Sequence, residues 1–302
     1  MLASQDSSQL LDSILHLRTS PLFGEFSATQ LAPLAYHARD VRFPAGAVVA
    51  HQAEVWNEIF YAFEGSVRAS TGQVQGLAEA LGGLALFAGS GMPFEVIAED
   101  EVRALVIPGD AVFEALEDDF QLLLELLRSL AGQLLIDQEK LGGAQSVWVR
   151  SIADVSAGDG ELDLVQKMLL IQHAQGLQRT SGTALADAAR NAVPFRVPRG
   201  QYVWRRGETA KHGYLITSGT VSALYPDRPS IHLGPRIAVG LLEALAGVPR
   251  RHDLIAEEEV RGLQATLSRS LEAWEDHFQM AAGFLAFLAR DMLRIRCSAC
   301  GA

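Results

Sequence analysis

The strongest constraint on this chain is that it repeats itself. Residues 41–67 match residues 195–221 at an offset of 154. Phe43-Pro44-Ala45-Gly46 faces Val197-Pro198-Arg199-Gly200, Glu54 faces Glu208, and Gly65-Ser66-Val67 faces Gly219-Thr220-Val221. The register then slips by four and holds at an offset of 158. Ala98-Glu99-Asp100-Glu101-Val102-Arg103 faces Ala256-Glu257-Glu258-Glu259-Val260-Arg261. Glu114 to Gln121 faces Glu272 to Gln279 in the same way. A repeat this long with one small insertion means two copies of one domain, not a solenoid of short units. At 302 residues each copy is large enough to bury its own core.

Each copy has the same internal order. A helix opens it, capped by Ser27 in one copy and Ser181 in the other, where the hydroxyl can accept an orphan backbone N–H. Short strand-like runs follow, such as 47–50, 58–63 and 102–107, punctuated by Pro-x-Gly turns and single glycines. An acidic helix start and one long apolar helix close each copy, over 111–140 and 269–295. This predicts an α+β fold of small barrels with flanking helices. Leu141-Gly142-Gly143-Ala144 ends the first long helix, and Ser156-Ala157-Gly158-Asp159-Gly160 is polar and flexible. The expected layout is a first domain over 1–145, a linker over 146–160 and a second domain over 161–302.

Composition removes several functions. With 49% hydrophobic residues the chain reads as globular, and no apolar run approaches the ~20 residues that cross a bilayer. The first 30 residues lack a basic stretch followed by an apolar core, so no signal peptide and a cytoplasmic location are expected. A net charge of −11 argues against nonspecific nucleic-acid binding, which needs a basic face to displace counterions. The eight histidines are scattered without ligand spacing, and no nucleophile elbow, P-loop, kinase or dinucleotide signature occurs. No enzyme is expected. Cys297-Ser298-Ala299-Cys300 has metal-ligand spacing, but structural zinc needs four ligands. Two such tails in a dimer would complete a four-thiolate site; the plainer reading is a reduced tail.

The arrangement resembles the cyclic-nucleotide-binding domain family, over both copies. The Pro-x-Gly turn and an aromatic-x4-Gly-x-Val stretch carry the likeness, as Pro198-Arg199-Gly200 with Tyr214 to Val221, and Phe60 to Val67 in the first copy. The resemblance implies two tandem β-roll domains of jelly-roll type, each flanked by N-terminal helices and a long C-terminal helix. It also implies a phosphate-binding cassette. In that cassette a glycine and a short helix start present N–H groups to the cyclic phosphate, an arginine adds charge and a fork of donors, and a glutamate accepts from the ribose hydroxyl.

Aligned on Ala98-Glu99, the first copy keeps the frame without the chemistry. Gly82-Gly83 puts glycine at the glutamate position, and Met92 stands at the arginine position. A phosphate there would meet an apolar thioether, with Glu95 nearby. Aligned on Ala256-Glu257, the second copy restores Gly240 and Pro249-Arg250, followed by Arg251. Leu241 occupies the glutamate position, with Glu243 two residues later. The second copy is therefore the candidate for cyclic AMP or cyclic GMP through Gly240, Arg250 and local N–H groups. The plainer alternative makes Arg250 and Arg251 a solvated basic turn beside Asp253 or Glu257.

The closing helices complete the reading. Phe278, Ala281, Ala282, Leu285, Leu288, Ala289 and Met292 share one face, and Phe284 and Phe287 widen it. So wide an apolar surface suggests a homodimer through these helices or contact between copies. Family regulators that read DNA carry a helix-turn-helix after the long helix, and kinase-regulatory relatives carry an arginine-rich docking segment; neither is expected here. The leading expectation is a non-enzymatic regulatory or scaffolding protein acting through protein contacts. The alternatives are a nucleotide or anion sensor and a zinc-linked dimer.

Overall fold

A computed structural model of the chain describes residues 2–20, 23–24, 26–70, 74–75, 80–140, 162–174, 177–235 and 237–299. The expected linker over 146–160 and Cys300 lie outside the described residues. The first copy runs α1 (Leu2–Arg18), α2 (Ala28–His37), β1 (Arg39–Phe43), β2 (Val48–Ala50), β3 (Glu58–Glu64), β4 (Val67–Ala69), β5 (Val74–Gln75), β6 (Ala80–Leu81), α3 (Gly83–Ala88), β7 (Val96–Ala98), β8 (Val102–Pro108), α4 (Gly109–Asp118) and α5 (Phe120–Lys140). The second runs α6 (Leu164–Gln172), α7 (Gly182–Asn191), β9 (Val193–Val197), β10 (Tyr202–Trp204), β11 (His212–Ser218), β12 (Val221–Leu224), β13 (Ile231–Leu233), β14 (Ile237–Val239), α8 (Leu241–Leu245), β15 (Asp253–Ala256), β16 (Val260–Thr266), α9 (Leu267–Asp276) and α10 (Phe278–Ala299). Two compact units result, residues 1–126 with 289–302, and residues 127–288.

The strands of each copy pair, all antiparallel, into two four-stranded sheets. The orders are β1-β8-β3-β6 and β2-β7-β4-β5 in the first, and β9-β16-β11-β14 and β10-β15-β12-β13 in the second. The turns repeat bond for bond. Gly46 N–H donates to Ala98 O at 2.8 Å, and Gly200 N–H to Ala256 O at 2.8 Å. Glu99 N–H donates to Ser66 O at 2.9 Å, and Glu257 N–H to Thr220 O at 2.8 Å. Gly65 and Gly219 close the next turn with φ near +81° and +82°; a Cβ on either would run into the backbone of Glu101 or Glu259.

Both opening helices are capped as their serines predict. Ser27 Oγ accepts from Gln30 N–H and Ser181 Oγ from Ala184 N–H, each at 3.3 Å. The first roll closes over Phe60, Val67, Leu81, Val96, Val102 and Val106. The second closes over Trp204, Ile216, Val221, Leu233, Leu254 and Val260. In the second unit, α6 and α7 cover the outer side of β11 and β16 by packing Leu170, Leu185 and Ala189 on Leu215 and Leu263. Each fully buried aliphatic side chain contributes roughly 1.5–3 kcal/mol relative to exposure.

The single long closing helix expected in each copy is instead a broken pair. The chain leaves helical geometry at Asp119 (φ −125°, ψ 95°) and at His277 (φ −135°, ψ 78°), the residues that face each other in the repeat. Asp119 Oδ1 accepts from the N–H groups of Gln121 at 2.9 Å and Leu122 at 3.2 Å, so it caps α5 better than it could continue α4. His277 Nε2 lies 2.8 Å from Asp187 Oδ2 on α7. The apolar faces of α5 and α10 are covered within the chain: Leu123, Leu127, Leu130 and Leu134 are buried, as are Ala281, Phe284, Leu285, Leu288 and Met292.

Candidate functional site

The residues singled out in the second copy come together around Arg250. β14 delivers Gly240, which adopts φ +84° and N-caps the short helix α8. Antiparallel β11 places the His212 carbonyl nearby, and the turn before β15 supplies Arg250 itself. Arg250 is only 3% exposed. Its Nη1 donates to Gly240 O at 2.5 Å and its Nη2 to His212 O at 2.6 Å. The guanidinium carbon lies 4.3 Å from the Trp204 ring centroid and 5.9 Å from that of Tyr214. Glu243, buried on α8, brings Oε2 to 3.6 Å from Nη1. Burial pushes the Arg250 pKa down from its ordinary value, and Glu243 opposes that.

This geometry corrects the reading of Arg250 and Arg251 as a solvated turn. Arg250 N–H donates to Glu208 O and its carbonyl accepts from Gly207 N–H, both at 2.9 Å, which carries the side chain inward. Asp253 accepts from Arg206 N–H at 2.7 Å and Glu257 faces Ser222 and His232. Arg251 is the more exposed of the two. Its Nη1 donates to Leu135 O at 2.6 Å and its Nη2 pairs with Glu139. Pro249 is exposed, and Leu241 is half-buried with its Cβ facing Gly213.

An aromatic cluster that sequence reasoning missed surrounds the arginine. Trp204 Nε1 donates to His252 O at 3.0 Å, and the His252 ring lies 4.7 Å from Tyr225 and 5.5 Å from Trp204. Burial, followed by the charge of Arg250, pushes the His252 pKa down to about 4. Burial also pushes the phenols of Tyr214 and Tyr225 up and His212 down. Aromatic residues in short strands were visible in the sequence, but nothing there indicated which of them converge. Gly240, Leu241 and Glu243 also border a cavity of about 270 Å³ in the second unit.

The first copy has the same frame around different side chains. Met92 N–H donates to Glu54 O at 3.1 Å and its carbonyl accepts from Ala53 N–H at 2.8 Å, the bonds that Arg250 makes to Glu208 and Gly207. Met92 is buried in the core of the roll. Gly82 has φ +79° and N-caps α3, whose first residue is the buried Gly83. The indole of Trp56 packs against Gly82 where Arg250 packs against Gly240. Glu95 Oε2 lies 3.6 Å from His51 Nδ1. Cys297 lies on α10; no group of three metal-ligating side chains occurs among the described residues. No helix among them is long and apolar enough to cross a membrane.

The family model described as the cyclic nucleotide-binding domain matches residues 194–277, the second roll with α8 and α9. A cyclic nucleotide-gated potassium channel of Rhizobium etli is 27% identical over 139 residues, 45% of this chain and 39% of the channel. The chain thus spans well under two thirds of that relative's length. Among solved structures, the regulatory domain of Toxoplasma gondii protein kinase A with cyclic AMP is similar at TM-score 0.35 and 14% identity, covering 97% of each chain. The regulatory subunit of a cAMP-independent protein kinase A from Trypanosoma brucei is similar at TM-score 0.34 and 17% identity, covering 95% of this chain and 90% of that one.

Proposed function

We propose that this chain is a non-enzymatic regulatory protein whose two cyclic-nucleotide-binding-like rolls act through protein contacts. In this reading neither roll receives a cyclic nucleotide. One observation carries it: the guanidinium that the resemblance assigns to a phosphate already donates to the Gly240 and His212 carbonyls, stacks on Trp204 and faces Glu243. A phosphate would compete with those bonds for the guanidinium and would meet the carboxylate of Glu243. In the first roll Met92 and Trp56 take up the corresponding space with apolar atoms. The cation of the second roll is thus used structurally, and the turn geometry shared by the two copies serves to present surfaces.

The second reading is a sensor in which the second roll binds a cyclic nucleotide and repositions α9 and α10. The family match over 194–277 favours it, as does the cavity beside Gly240. A ligand shifts such an equilibrium only as far as it prefers one state. Calorimetry with cyclic AMP and cyclic GMP on the intact chain separates the two. Our reading expects no heat of binding up to millimolar nucleotide. One-site micromolar binding, lost in Arg250→Lys with the fold intact, would overturn it in favour of the sensor. Pairing of chains, whether through apolar surfaces or through Cys297 and Cys300, belongs to the same proposal; light scattering with and without chelator checks it.

A further inference from the structure

The cavity of the second unit has two unlike walls. Tyr214 and Ala223 line it from the strands of the roll, Tyr225 from the turn after β12, and Trp274, Phe284 and Phe287 from the closing helices. The three helix aromatics form one surface, with Trp274 and Phe284 ring centroids 4.9 Å apart and Phe284 and Phe287 5.6 Å apart. An apolar cavity of ~150 Å³ is enough to hold benzene in another protein. At about 270 Å³ this one has room for a fused bicyclic ring.

Two polar groups on the lining point to the rest of the ligand. Gln138 is 8% exposed, and its Nε2 has no hydrogen-bond partner among the described residues. The same holds for Nε of Arg228, whose guanidinium lies over the Tyr225 ring at 3.6 Å. Both atoms are donors, and a buried donor without an acceptor is unfavourable until one is supplied. The carboxylates on the lining already have cationic neighbours, Glu139 pairing with Arg251 and Glu243 lying beside Arg250. Unlike them, the two donors are left to an incoming acceptor.

We infer that this cavity binds a small, flat, apolar molecule carrying one carboxylate, an aromatic acid and not a nucleotide. Its rings would fill the space between Tyr225 and the Trp274–Phe284 surface, and its carboxylate would accept from Arg228 or Gln138. Such a ligand touches both the roll and α10, so it would couple occupancy to the position of the closing helix. The inference stands whether or not the chain acts through protein partners.

Naphthalene-2-carboxylate titrated into the intact chain tests it, read by calorimetry and by quenching of tryptophan fluorescence, with naphthalene as the uncharged comparison. The expected result is one site of micromolar affinity, abolished in Ala223→Phe, which fills the cavity. Gln138→Leu or Arg228→Met should weaken the acid about tenfold or more while leaving naphthalene nearly unchanged. If Ala223→Phe loses its cooperative unfolding transition, the two donor variants decide. No binding at millimolar probe would overturn the inference, as would binding that both donor variants leave unaltered. Displacement of the probe by micromolar cyclic AMP would also overturn it, because the cavity would then be a nucleotide site.

Discussion

Arg250 Nη1 lies 2.5 Å from the carbonyl oxygen of Gly240, and a Cβ added to Gly240 would lie 2.7 Å from that same nitrogen. The glycine is therefore required twice, once for its φ of +84° and once for the guanidinium pressed against it. Its counterpart Gly82 has φ +79° and is pressed by the Trp56 indole. One backbone geometry has been given an ionic filling in one roll and an aromatic filling in the other.

Gly240→Ala should destabilise the chain by about 2 kcal/mol or more, because left-handed backbone strain costs ~1–2 kcal/mol before any steric displacement. Gly82→Ala should cost at least as much, since the bulkier indole has to move. Urea unfolding followed by circular dichroism checks both. Midpoints equal to wild type would mean that neither filling is tight.

Removing Arg250 leaves Glu243 buried without its cation. Arg250→Met should therefore cost about 3–5 kcal/mol, the range for breaking a buried pair. Adding Glu243→Leu removes the orphaned charge and should restore at least about 1 kcal/mol. A double variant as unstable as the sum of its singles would show that the two side chains do not interact.

His252 predicts a pH dependence of definite sign. Its folded pKa of about 4 lies below the ordinary 6.5, so the unfolded chain binds its proton first as pH falls. The stabilisation is present above pH 6.5 and is lost as pH drops towards 4, by up to about 3 kcal/mol. His212 is shifted the same way, and the lowered carboxylates Asp187 and Glu257 act only below their own ordinary values. Unfolding midpoints measured between pH 7 and pH 5 should fall, and His252→Gln should flatten most of that fall. An unchanged slope in the variant would exclude His252 as its source.

The repeat was the most legible part of the chain. Matched glycines, Pro-x-Gly turns and capping serines each depend on local backbone geometry, and each appears where the sequence puts it. The correspondence of Met92 with Arg250 was also legible, since it follows from the offset of 158 alone. The joint at Asp119 and His277 was not. Both positions read as helix interior, and the bonds that break the helix come from a cap and from Asp187, 90 residues away.

The direction of Arg250 lay furthest beyond the sequence. Two adjacent arginines in a turn look alike as residue types, and solvation is their cheapest state in isolation. Only the folded roll brings Gly240 O, His212 O and the Trp204 face within reach of the first, while Leu135 O and Glu139 take the second. Local patterning determines which strands and turns form, because their energies are set within a few residues. Which way an arginine points, into the roll or out to solvent, depends on carbonyls and carboxylates that are distant in the chain, and tertiary structure alone decides that.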